Sequence, residues 1–524
     1  MPDTTMALHF ALALSPIVVV LVLMIGFRWG GAKAGPAGWL VALAVSVLFF
    51  GAGAGLLAYS QMRALLLTLY VLYIVWMALL LYNVAVEAGA IATIGAGIVR
   101  LTEDRALQLL LLAWVFSSFL QGIAGYGVPI AVVAPLLIGL GFSPVLSVTA
   151  VAVGHAWSVN FGSIAASFNA LIAASGLPGE VLAPASALLL GLTCFLCGIA
   201  VLLLHDGLRG LRHGAPAILI IGAAMAGTQY LLAASGLWNI AAFGAGAVGL
   251  AVTALVGRLP IYRRAASPSA PDGTAAGPVS RGGLPLGLAL APYAFLVVFV
   301  TLAELAPWAH TVLNSIKIQV AFPATETALG WVNQAGKGQA ISVFGHAGAL
   351  LVYASVAGFA LYLATGHSRP GAAGRILSNM ARSAVRSSIG IATMVGFALI
   401  MEQSGMTNAI AVGLSLGLAP VYPFVAPFIG LLGAFMTGSN TNSNVIFAGL
   451  QQQTAQLLGL SAPLILALQT TGGSIGGMLA PARIIVGCST AGLVGQEGQV
   501  LRRTIVYGLV ICIVIGAVGL LMAR

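Results

Sequence analysis

Long apolar stretches separated by short polar ones make up nearly the whole chain. The stretches are about twenty residues long and lack a period-two alternation, so they predict membrane-spanning α-helices and argue against a β-barrel. Continuous stretches lie at 7–26, 37–58, 64–86, 181–204, 215–235, 239–257, 284–306, 342–365, 387–403 and 504–522. Shorter or interrupted stretches lie at 106–120, 130–141, 145–175, 407–436, 445–459, 462–476 and 484–494. The pattern predicts an all-α polytopic membrane protein.

The most polar interruption is the run Phe-Met-Thr-Gly-Ser-Asn-Thr-Asn-Ser-Asn at 435–444. Its small hydroxyl and amide side chains compete with the backbone for hydrogen bonds, and they are costly at bilayer depth unless something satisfies them. We expect the helix to break over 437–444, with the loop facing a water-filled cavity in which a substrate binds. A polar seam between packed helices is the alternative interpretation.

A second interruption, at 121–129, has the same form because three glycines and a proline break the apolar pattern there. Each interruption leads through a Leu-Gly turn to a further polar break. The corresponding pairs are 119–122 with 435–438, 140–143 with 458–461, and 154–162 with 469–474. Corresponding breaks in two halves are typical of a transporter whose site lies near the membrane midplane. Chance similarity between glycine-rich segments is the alternative.

The composition excludes a soluble protein. Of the 524 residues, 60% are hydrophobic and only 6% are charged, whereas soluble globular domains carry about 25% charged residues. A formal net charge of +10 could suggest nucleic acid as a partner. The basic residues instead fall in short segments between apolar stretches, so the positive-inside rule explains them better.

The basic segments also predict an orientation. Segments 205–213, 258–283 and 367–386, together with Arg502 and Arg503, are expected in the cytoplasm, and residues 307–340 outside. Both termini are then extracytoplasmic. Segment 258–283 is rich in Pro, Gly, Ser and Ala, so it is predicted to be a flexible linker between an N-terminal half, 1–257, and a C-terminal half, 284–524.

Enzyme motifs such as His-Glu-x-x-His, a P-loop or a credible Gly-x-Ser-x-Gly triad are missing from the sequence, so we expect no enzyme. Ionisable residues inside apolar stretches are functional candidates by default. Glu87 and Glu402 lie at stretch ends and can equally face a loop or the interface. His155 can be a satisfied core histidine, and Arg483 can be an interfacial arginine or the counter-charge of a carboxylate.

Broken helices offer unpaired N–H groups and a partial positive charge at their N-terminal ends, which suits an anion. The predicted substrate-binding residues all lie at or beside the breaks. They are Gln121, Gly122, Gly125, Tyr126, Gly127, His155, Asn160, Ser439, Asn440, Thr441, Asn442, Ser443, Asn444, Thr470, Thr471, Gly472, Gly473 and Arg483. We expect neither a metal nor an organic cofactor.

Four motifs make the chain similar to a known family. They are Phe-Leu-Gln-Gly-Ile-Ala-Gly-Tyr-Gly-Val-Pro at 119–129, Thr-Gly-Ser-Asn-Thr-Asn-Ser-Asn at 437–444 with Phe-Ala-Gly-Leu-Gln at 447–451, Thr-Thr-Gly-Gly-Ser-Ile-Gly-Gly-Met-Leu-Ala-Pro at 470–481, and Ala-Gly-Leu-Val-Gly-Gln-Glu at 491–497. With the placement of the apolar stretches, the sequence resembles the L-lactate permease family, within the wider ion-transporter superfamily.

The resemblance implies two inverted repeats with re-entrant hairpins, a scaffold, and a transport domain that moves in an elevator-like manner. It also implies a homodimer surrounded by lipid in the bacterial inner (plasma) membrane. The family usually carries acids where Gln121 and Asn440 stand, a lysine where Gly477 stands, and a small polar residue where Arg483 stands. This chain therefore lacks two carboxylates that the family usually carries, and its positive charge stands at 483 instead of 477.

The function that these expectations imply is secondary active transport of a small monocarboxylate. A 2-hydroxy acid such as L-lactate or glycolate, moved with H⁺ or Na⁺ by alternating access, fits the resemblance. A Na⁺-coupled carrier of another small organic anion is the alternative within transport. A channel or an integral-membrane enzyme is the alternative outside it.

Overall fold

The structure is a computed structural model, and it describes residues 4–27, 29, 31–99, 101–123, 125, 127–263, 284–338, 340–493 and 496–523. The predicted linker lies mostly outside the described residues, which end at 263 and resume at 284. Tyr126, a predicted site residue, also lies outside them.

Helices account for most of the described chain. They are α1 (Thr4–Ile25), α2 (Gly31–Phe49), α3 (Ala54–Glu87), α4 (Ala90–Val99), α5 (Arg105–Leu109), α6 (Ser117–Ile123), α7 (Val128–Gly139), α8 (Pro144–Gly154), α9 (Gly162–Ser175), α10 (Gly179–Ala234), α11 (Trp238–Val256), α12 (Pro260–Arg263), α13 (Leu286–Leu305), α14 (Pro307–Leu313), α15 (Ala347–Ala364), α16 (Ala372–Gln403), α17 (Met406–Leu418), α18 (Tyr422–Thr437), α19 (Asn440–Leu457), α20 (Ala462–Leu479), α21 (Pro481–Thr490) and α22 (Glu497–Met522). A π-helical stretch, Leu110–Phe116, joins α5 to α6.

Six two-residue strands form one extended β-hairpin over residues 317–342. They are β1 (Lys317–Ile318), β2 (Ala321–Phe322), β3 (Thr325–Glu326), β4 (Val332–Asn333), β5 (Gly336–Lys337) and β6 (Ile341–Ser342). The pairing is antiparallel and nested, β1 with β6, β2 with β5 and β3 with β4. Next to its turn, the N–H of Ala328 donates to Gly51 O at 2.9 Å, so the β-hairpin covers the start of α3.

Ten helices in the described part of the chain are long and apolar enough to cross a membrane, and the bent pair α8–α9 raises the number to eleven. The prediction of a polytopic helical membrane protein is confirmed. One predicted loop is wrong in detail, because segment 367–386 is mostly the first half of α16, which begins at Ala372. The predicted turn in segment 205–213 is confirmed. Asp206 and Gly207 leave the helical conformation within α10, and the two parts of α10 pack against each other, with Gly191 facing Ala226 and Gly222 facing Phe195.

The molecule has two chemically different ends. At the basic end, His213 Nε2 lies 2.9 Å from Asp104 Oδ2, and the Tyr262 hydroxyl donates to the His213 carbonyl at 3.2 Å. The first basic segment and the start of α5 therefore meet there. At the opposite end, the Asn333 side chain in the β-hairpin donates to Gln403 O at 2.7 Å. We call these the basic end and the β-hairpin end.

The first broken hairpin consists of α5, the π-helical stretch, α6 and α7, and it opens at the basic end. The guanidinium of Arg105, the first residue of α5, lies 3.9 Å from the ring centroid of Phe142, which follows α7. Arg105 also donates to the Leu140 carbonyl. Both arms therefore meet at the basic end, and the break between α6 and α7 lies deep in the molecule.

The second broken hairpin, α18 and α19, opens at the β-hairpin end. The Tyr422 hydroxyl at the start of α18 donates to Gln451 Oε1 on α19 at 2.8 Å. Two residues earlier on α19, Gly449 faces the Glu402 carboxylate at the end of α16. The two broken hairpins thus enter from opposite ends, which is the inverted arrangement that the family resemblance implies.

The turns after the two hairpins correspond as predicted. Gly141 and Gly459 both have positive φ, 84° and 65°. The N–H of the next residue bonds back five residues in each case, from Phe142 to Leu137 O at 3.1 Å and from Leu460 to Ala455 O at 2.8 Å. This is the Schellman geometry that a glycine after a helix favours.

The second breaks of the two repeats do not both fall where the sequence predicts. The break at 154–162 is confirmed, because α8 ends at Gly154 and the chain bends by 51° before it continues as α9. The break at 469–474 is wrong, since α20 is continuous through that range and ends only at Leu479, before Pro481.

Close packing against α18 explains why the glycines of α20 stay helical. A Cβ on Gly472 would lie 1.8 Å from Pro427 O, one on Gly476 would lie 2.2 Å from Leu431 O, and one on Gly430 would lie 1.9 Å from Gln469 O. No side chain fits between these two backbones. Small residues therefore serve here as a helix–helix contact surface, and the helix is not broken by them.

We expect Gly472→Ala to destabilise the fold strongly, because the added methyl group forces α18 and α20 apart. Gly227→Ala is the matched control, since Gly227 is also helical and its added Cβ meets nothing within 4 Å. Helix propensity alone should stabilise the control by about 0.5–1 kcal/mol. Thermal unfolding of the purified variants in detergent measures both changes. Equal unfolding temperatures for the two variants would contradict the close contact.

Candidate functional site

A small cavity lies where the two broken hairpins meet. Its lining comes from both breaks, from the start of α9 and from the start of α21. The lining residues are Gln121, Gly125, Val159, Ser163, Ala166, Ser167, Ser439, Asn440, Thr441 and Arg483. The cavity offers about 20 Å³ to the centre of a water-sized sphere, which is room for about one water molecule.

The break in the second hairpin is shorter than predicted. Gly438 has φ 71° and ends α18, Ser439 is the N-cap of α19, and its hydroxyl accepts from the Asn442 N–H at 3.4 Å. The prediction of a loop over 437–444 is wrong, because 440–444 form the first turn and a half of α19. Other helices bind the side chains of Asn440, Thr441, Ser443 and Asn444, so these side chains do not compete with their own backbone.

A buried hydrogen-bond network fixes the first turn of α19. The Asn440 side-chain amide donates to Thr470 Oγ1 and to Ser474 Oγ, both at 3.2 Å. The Asn444 amide donates to Thr470 Oγ1 at 2.8 Å, and the Thr470 hydroxyl in turn donates to Asn160 Oδ1. Thr470 thereby links the second hairpin to the break of the first repeat, although the two segments are about 300 residues apart in sequence.

A second series of side-chain hydrogen bonds leads away from the cavity. The Ser443 hydroxyl donates to Gly430 O at 2.8 Å, and Gln469 Nε2 donates to Ser443 Oγ at 3.0 Å. Gln451 Nε2 donates to Gln469 Oε1 at 2.9 Å. These bonds hold α18, α19 and α20 together, so the contribution of Ser443 in this structure is to packing, although the sequence predicts a ligand contact.

The first repeat contributes a strained segment to the cavity. Ser163, Ile164 and Ala165 have φ of 48°, 56° and 55°, a left-handed conformation that costs about 1–2 kcal/mol per residue. The Ser163 hydroxyl accepts from the Gly125 N–H at 2.7 Å, which ties the segment to the first break. Strain of this kind clusters at functional sites.

Ser167 links the two repeats at the cavity wall. Its hydroxyl lies 3.0 Å from that of Thr441, and its backbone carbonyl accepts from the Asn444 amide at 2.9 Å. Ser163 and Ser167 are four residues apart after the predicted break at 154–162, so their spacing could have identified them. Sequence reasoning missed both of them, together with Val159 and Ala166.

Arg483 is the cation of the site. Its Nε donates to Gly438 O at 3.0 Å, and its guanidinium lies over Gly477, 3.1 Å from the position of an added Cβ. The side chain is only 8% exposed. This placement favours the counter-charge interpretation over the interfacial one, because Arg483 points into the interior beside the second break.

Several predicted residues lie near the cavity without lining it. Gly122 packs against the backbone of Phe243, and Gly127, with φ 86°, is the N-cap of α7. The fully buried His155 donates from Nδ1 to the Val151 carbonyl at 2.6 Å. The others that are absent from the lining are Asn160, Asn442, Ser443, Asn444, Thr470, Thr471, Gly472 and Gly473.

The two acids at the ends of apolar stretches, Glu87 and Glu402, do not line the small cavity. Glu87, at the end of α3, pairs with Arg375 at the start of α16, so it faces the basic end and lies away from the site. Glu402 lines a different, larger cavity.

Several helix starts border the small cavity. The lining residues Ser439, Asn440 and Arg483 belong to the starts of α19 and α21, and Gly125 comes just before α7. Each helix start carries a partial positive charge of about half an elementary charge. Together with the Arg483 guanidinium, they make the cavity suitable for a small anion.

The family model for "L-lactate permease" matches residues 9–524. The chain belongs to the L-lactate permease family. This permease is 26% identical to glycolate permease GlcA of Escherichia coli (strain K12) over 551 residues, which covers 100% of this chain and 97% of the relative. It is 27% identical to the L-lactate permease of Salmonella typhimurium (strain LT2) over 540 residues, with 100% and 97% coverage. The L-lactate permease of Bacillus subtilis (strain 168) is also 27% identical, with 96% and 94% coverage.

Among solved structures, this permease is similar to the Alcanivorax borkumensis YdaH transporter, at 14% identity and a TM-score of 0.44, with 86% of this chain and 84% of that chain covered. A similarity this weak does not establish a shared fold. The family assignment identifies the molecule as a multi-pass membrane permease and excludes an enzyme.

We expect Thr470→Val to destabilise this permease by about 1–3 kcal/mol, because the amide groups of Asn440 and Asn444 lose an acceptor in a buried site. Thr253→Val is the matched control: Thr253 is equally buried, and its hydroxyl bonds only the Gly249 carbonyl of its own helix at 2.7 Å. The control should lose much less stability. Thermal unfolding of both variants measures the two losses, and a similar loss in each would mean that the hydrogen-bond network does not stabilise the fold.

Proposed function

We propose that this permease is a secondary active transporter of small monocarboxylates, with 2-hydroxy acids such as L-lactate or glycolate as substrates. One observation carries the proposal: two oppositely oriented broken hairpins direct helix starts and the Arg483 guanidinium at one shared cavity. Half-helix starts at such a crossing are the usual means of holding a carboxylate in transporters. The names of the relatives, lactate and glycolate permeases, agree with this substrate class.

The polar atoms at the cavity suit a hydroxyl group beside the carboxylate. Among the described residues, the side-chain oxygens of Gln121 and Asn440 are buried and receive no hydrogen bond. A carboxylate cannot donate to them, whereas the hydroxyl of a 2-hydroxy acid can. In this proposal, Arg483 and the start of α19 bind the carboxylate, and the side-chain oxygen of Gln121 accepts from the hydroxyl.

The size of the cavity requires a conformational change. Room for about one water molecule is too little for a two- or three-carbon acid, so the walls must separate to admit substrate. We infer alternating access in which the two broken hairpins, acting as re-entrant hairpins, move with α8, α9, α20 and α21 as a transport domain. The other long helices would form an elevator-type scaffold, and two copies a homodimer.

Coupling to a cation completes the proposal. Both amides at the cavity, Gln121 and Asn440, are neutral, so a proton or Na⁺ would supply positive charge alongside the anion. A Na⁺-coupled carrier of another small organic anion is the second candidate.

The orientation follows the charges: the basic end faces the cytoplasm and the β-hairpin end faces outward. His9 near the N-terminus contacts the ring of Phe50, and Gly519 packs on Pro423, which supports both termini outside the bacterial inner membrane.

We expect Asn440→Leu and Arg483→Gln to reduce uptake of labelled lactate or glycolate by at least about tenfold. Asn440→Leu removes a polar group from the cavity and Arg483→Gln removes its cation, and a buried polar group left without its partner costs about 1–3 kcal/mol. Asn83→Leu is the control, because the buried Asn83 amide bonds only the Leu79 carbonyl of its own helix. Membrane insertion should be unaffected in all three. Uptake by both site variants at the level of the control would exclude the cavity as the binding site.

Reconstitution separates a carrier from a channel. Proteoliposomes loaded with unlabelled substrate should accumulate labelled substrate by counterflow, because a carrier exchanges one molecule for another. A thermal-shift screen of the purified protein against short organic acids, with and without Na⁺ and across pH, then identifies the acid and the cation. Flux without counterflow would indicate a channel, and stabilisation only by acids without a hydroxyl would exclude the 2-hydroxy acid assignment.

A further inference from the structure

A second, much larger cavity of about 490 Å³ lies under the β-hairpin. Its walls include Gln319 and Lys337 of the β-hairpin, Arg63 of α3 and Glu402 of α16. Lys337 and Gln319 are exposed, so the cavity opens to the surface at the β-hairpin end. Nothing in the substrate site described above uses these residues.

Two helices connect this cavity to the small one. Thr441 of α19 lines the small cavity, and Val445 and Gly449 of the same helix line the large one. On α9, Ser167 lines the small cavity and Ala174 lines the large one. At 1.5 Å per residue, four to eight residues correspond to about 6–12 Å. The large cavity is therefore one to two helical turns away from the proposed site, along the same pair of helices.

Aliphatic side chains pack together where the two cavities approach each other. Ala170 of α9 and Val445 of α19 belong to one buried cluster with Leu67 of α3. Ala170 lies between Ser167 and Ala174 in sequence, and Val445 follows Thr441 by one turn. The barrier between the cavities is thus built of small or medium aliphatic side chains at the junction of α3, α9 and α19, with no polar side chain in this three-residue layer.

The charges of the large cavity favour an anion. Arg63 and Lys337 contribute two cations and Glu402 one anion. Neither cation belongs to an ion pair among the described residues. The Arg63 guanidinium lies 4.6 Å from the centroid of the Phe322 ring in the β-hairpin, which holds it at the cavity wall. The Glu402 carboxylate faces Gly449 on α19 and interacts electrostatically with Arg63, so the net charge of the three groups is +1.

We propose that this large cavity is a vestibule in which Arg63 and Lys337 bind the organic anion before it enters the closed site. Cations lining a low-dielectric cleft raise the local concentration of an anion and its rate of association. The layer of Leu67, Ala170 and Val445 is the barrier that opens when the anion passes. The identity of the anion rests on the function proposed above, whereas its charge and the route do not.

Thiol accessibility tests the vestibule without any transport assay. Ala174→Cys places a thiol in its wall, and the four native cysteines are buried. An anionic sulfonatoethyl methanethiosulfonate should react faster with this thiol than the cationic trimethylammonioethyl reagent. We expect Arg63→Gln with Lys337→Gln to reduce the ratio of anionic to cationic rates by roughly fivefold or more. Lys317→Gln, on the same β-hairpin but outside the lining, should leave the ratio unchanged.

Two results would overturn the vestibule. The first is that neither reagent reaches the thiol introduced by Ala174→Cys in the folded protein. The second is a rate ratio that the double substitution does not change. Unaltered elution and melting temperature of the double variant would show that any change in the ratio does not come from misfolding.

Uptake kinetics then connect the vestibule to transport. Arg63→Gln with Lys337→Gln should raise the KM for lactate or glycolate by roughly fivefold and leave kcat nearly unchanged, because the site itself is intact. A lowered kcat at unchanged KM would contradict an entry role. If the unmodified protein carries neither acid, the proposed substrate fails, while the thiol measurement still decides whether the vestibule selects anions.

Discussion

Satisfying buried amides and hydroxyls inside an apolar protein is the constraint on which the structure depends. Such groups cost several kcal/mol in hydrocarbon without partners, and five of them follow one another at 440–444. The structure pairs the amide groups of Asn440 and Asn444 and the hydroxyls of Thr441 and Ser443 with other helices. Thr470 accepts from Asn440 and Asn444 and donates to Asn160, so one hydroxyl connects both repeats. The network thereby stabilises the fold, and one of its members, Asn440, also lines the cavity.

Glycine packing makes that network geometrically feasible. The amide of Asn440 reaches α20 because α20 presents Gly473 opposite it, where an added Cβ would lie 1.9 Å from Asn440 Oδ1. On the other face of α20, Gly472 and Gly476 allow the backbone of α18 to approach. The first repeat uses the same device, since Gly154 packs on the Ala113 carbonyl and Gly162 on Gln121. Close backbones leave little free volume, which is why the site is nearly closed.

The distribution of charge relates the site to the two faces of the molecule. Basic side chains gather at one end, around Asp104, His213 and Arg375, while Arg63 and Lys337 line a large cavity at the other. Between them lies a site with one guanidinium and several helix starts. On the proposed route from the β-hairpin end, an anion would meet positive charge first in the large cavity and again at the small one, with an apolar layer between.

Local sequence patterns were enough to predict the helical membrane architecture, the approximate positions of the two hairpin breaks and the glycine turns at 141 and 459, while the inverted orientation of the hairpins was implied by the family resemblance. Hydrophobicity over twenty residues and the conformational freedom of glycine are local properties, so a single chain reveals them. Contacts between distant segments were needed to establish that 440–444 and 469–474 are helical, that Ser163 and Ser167 line the cavity, and that Arg483 covers Gly477. These outcomes depend on which partner satisfies each polar group and which backbone packs against each glycine, and both partners lie far away in sequence.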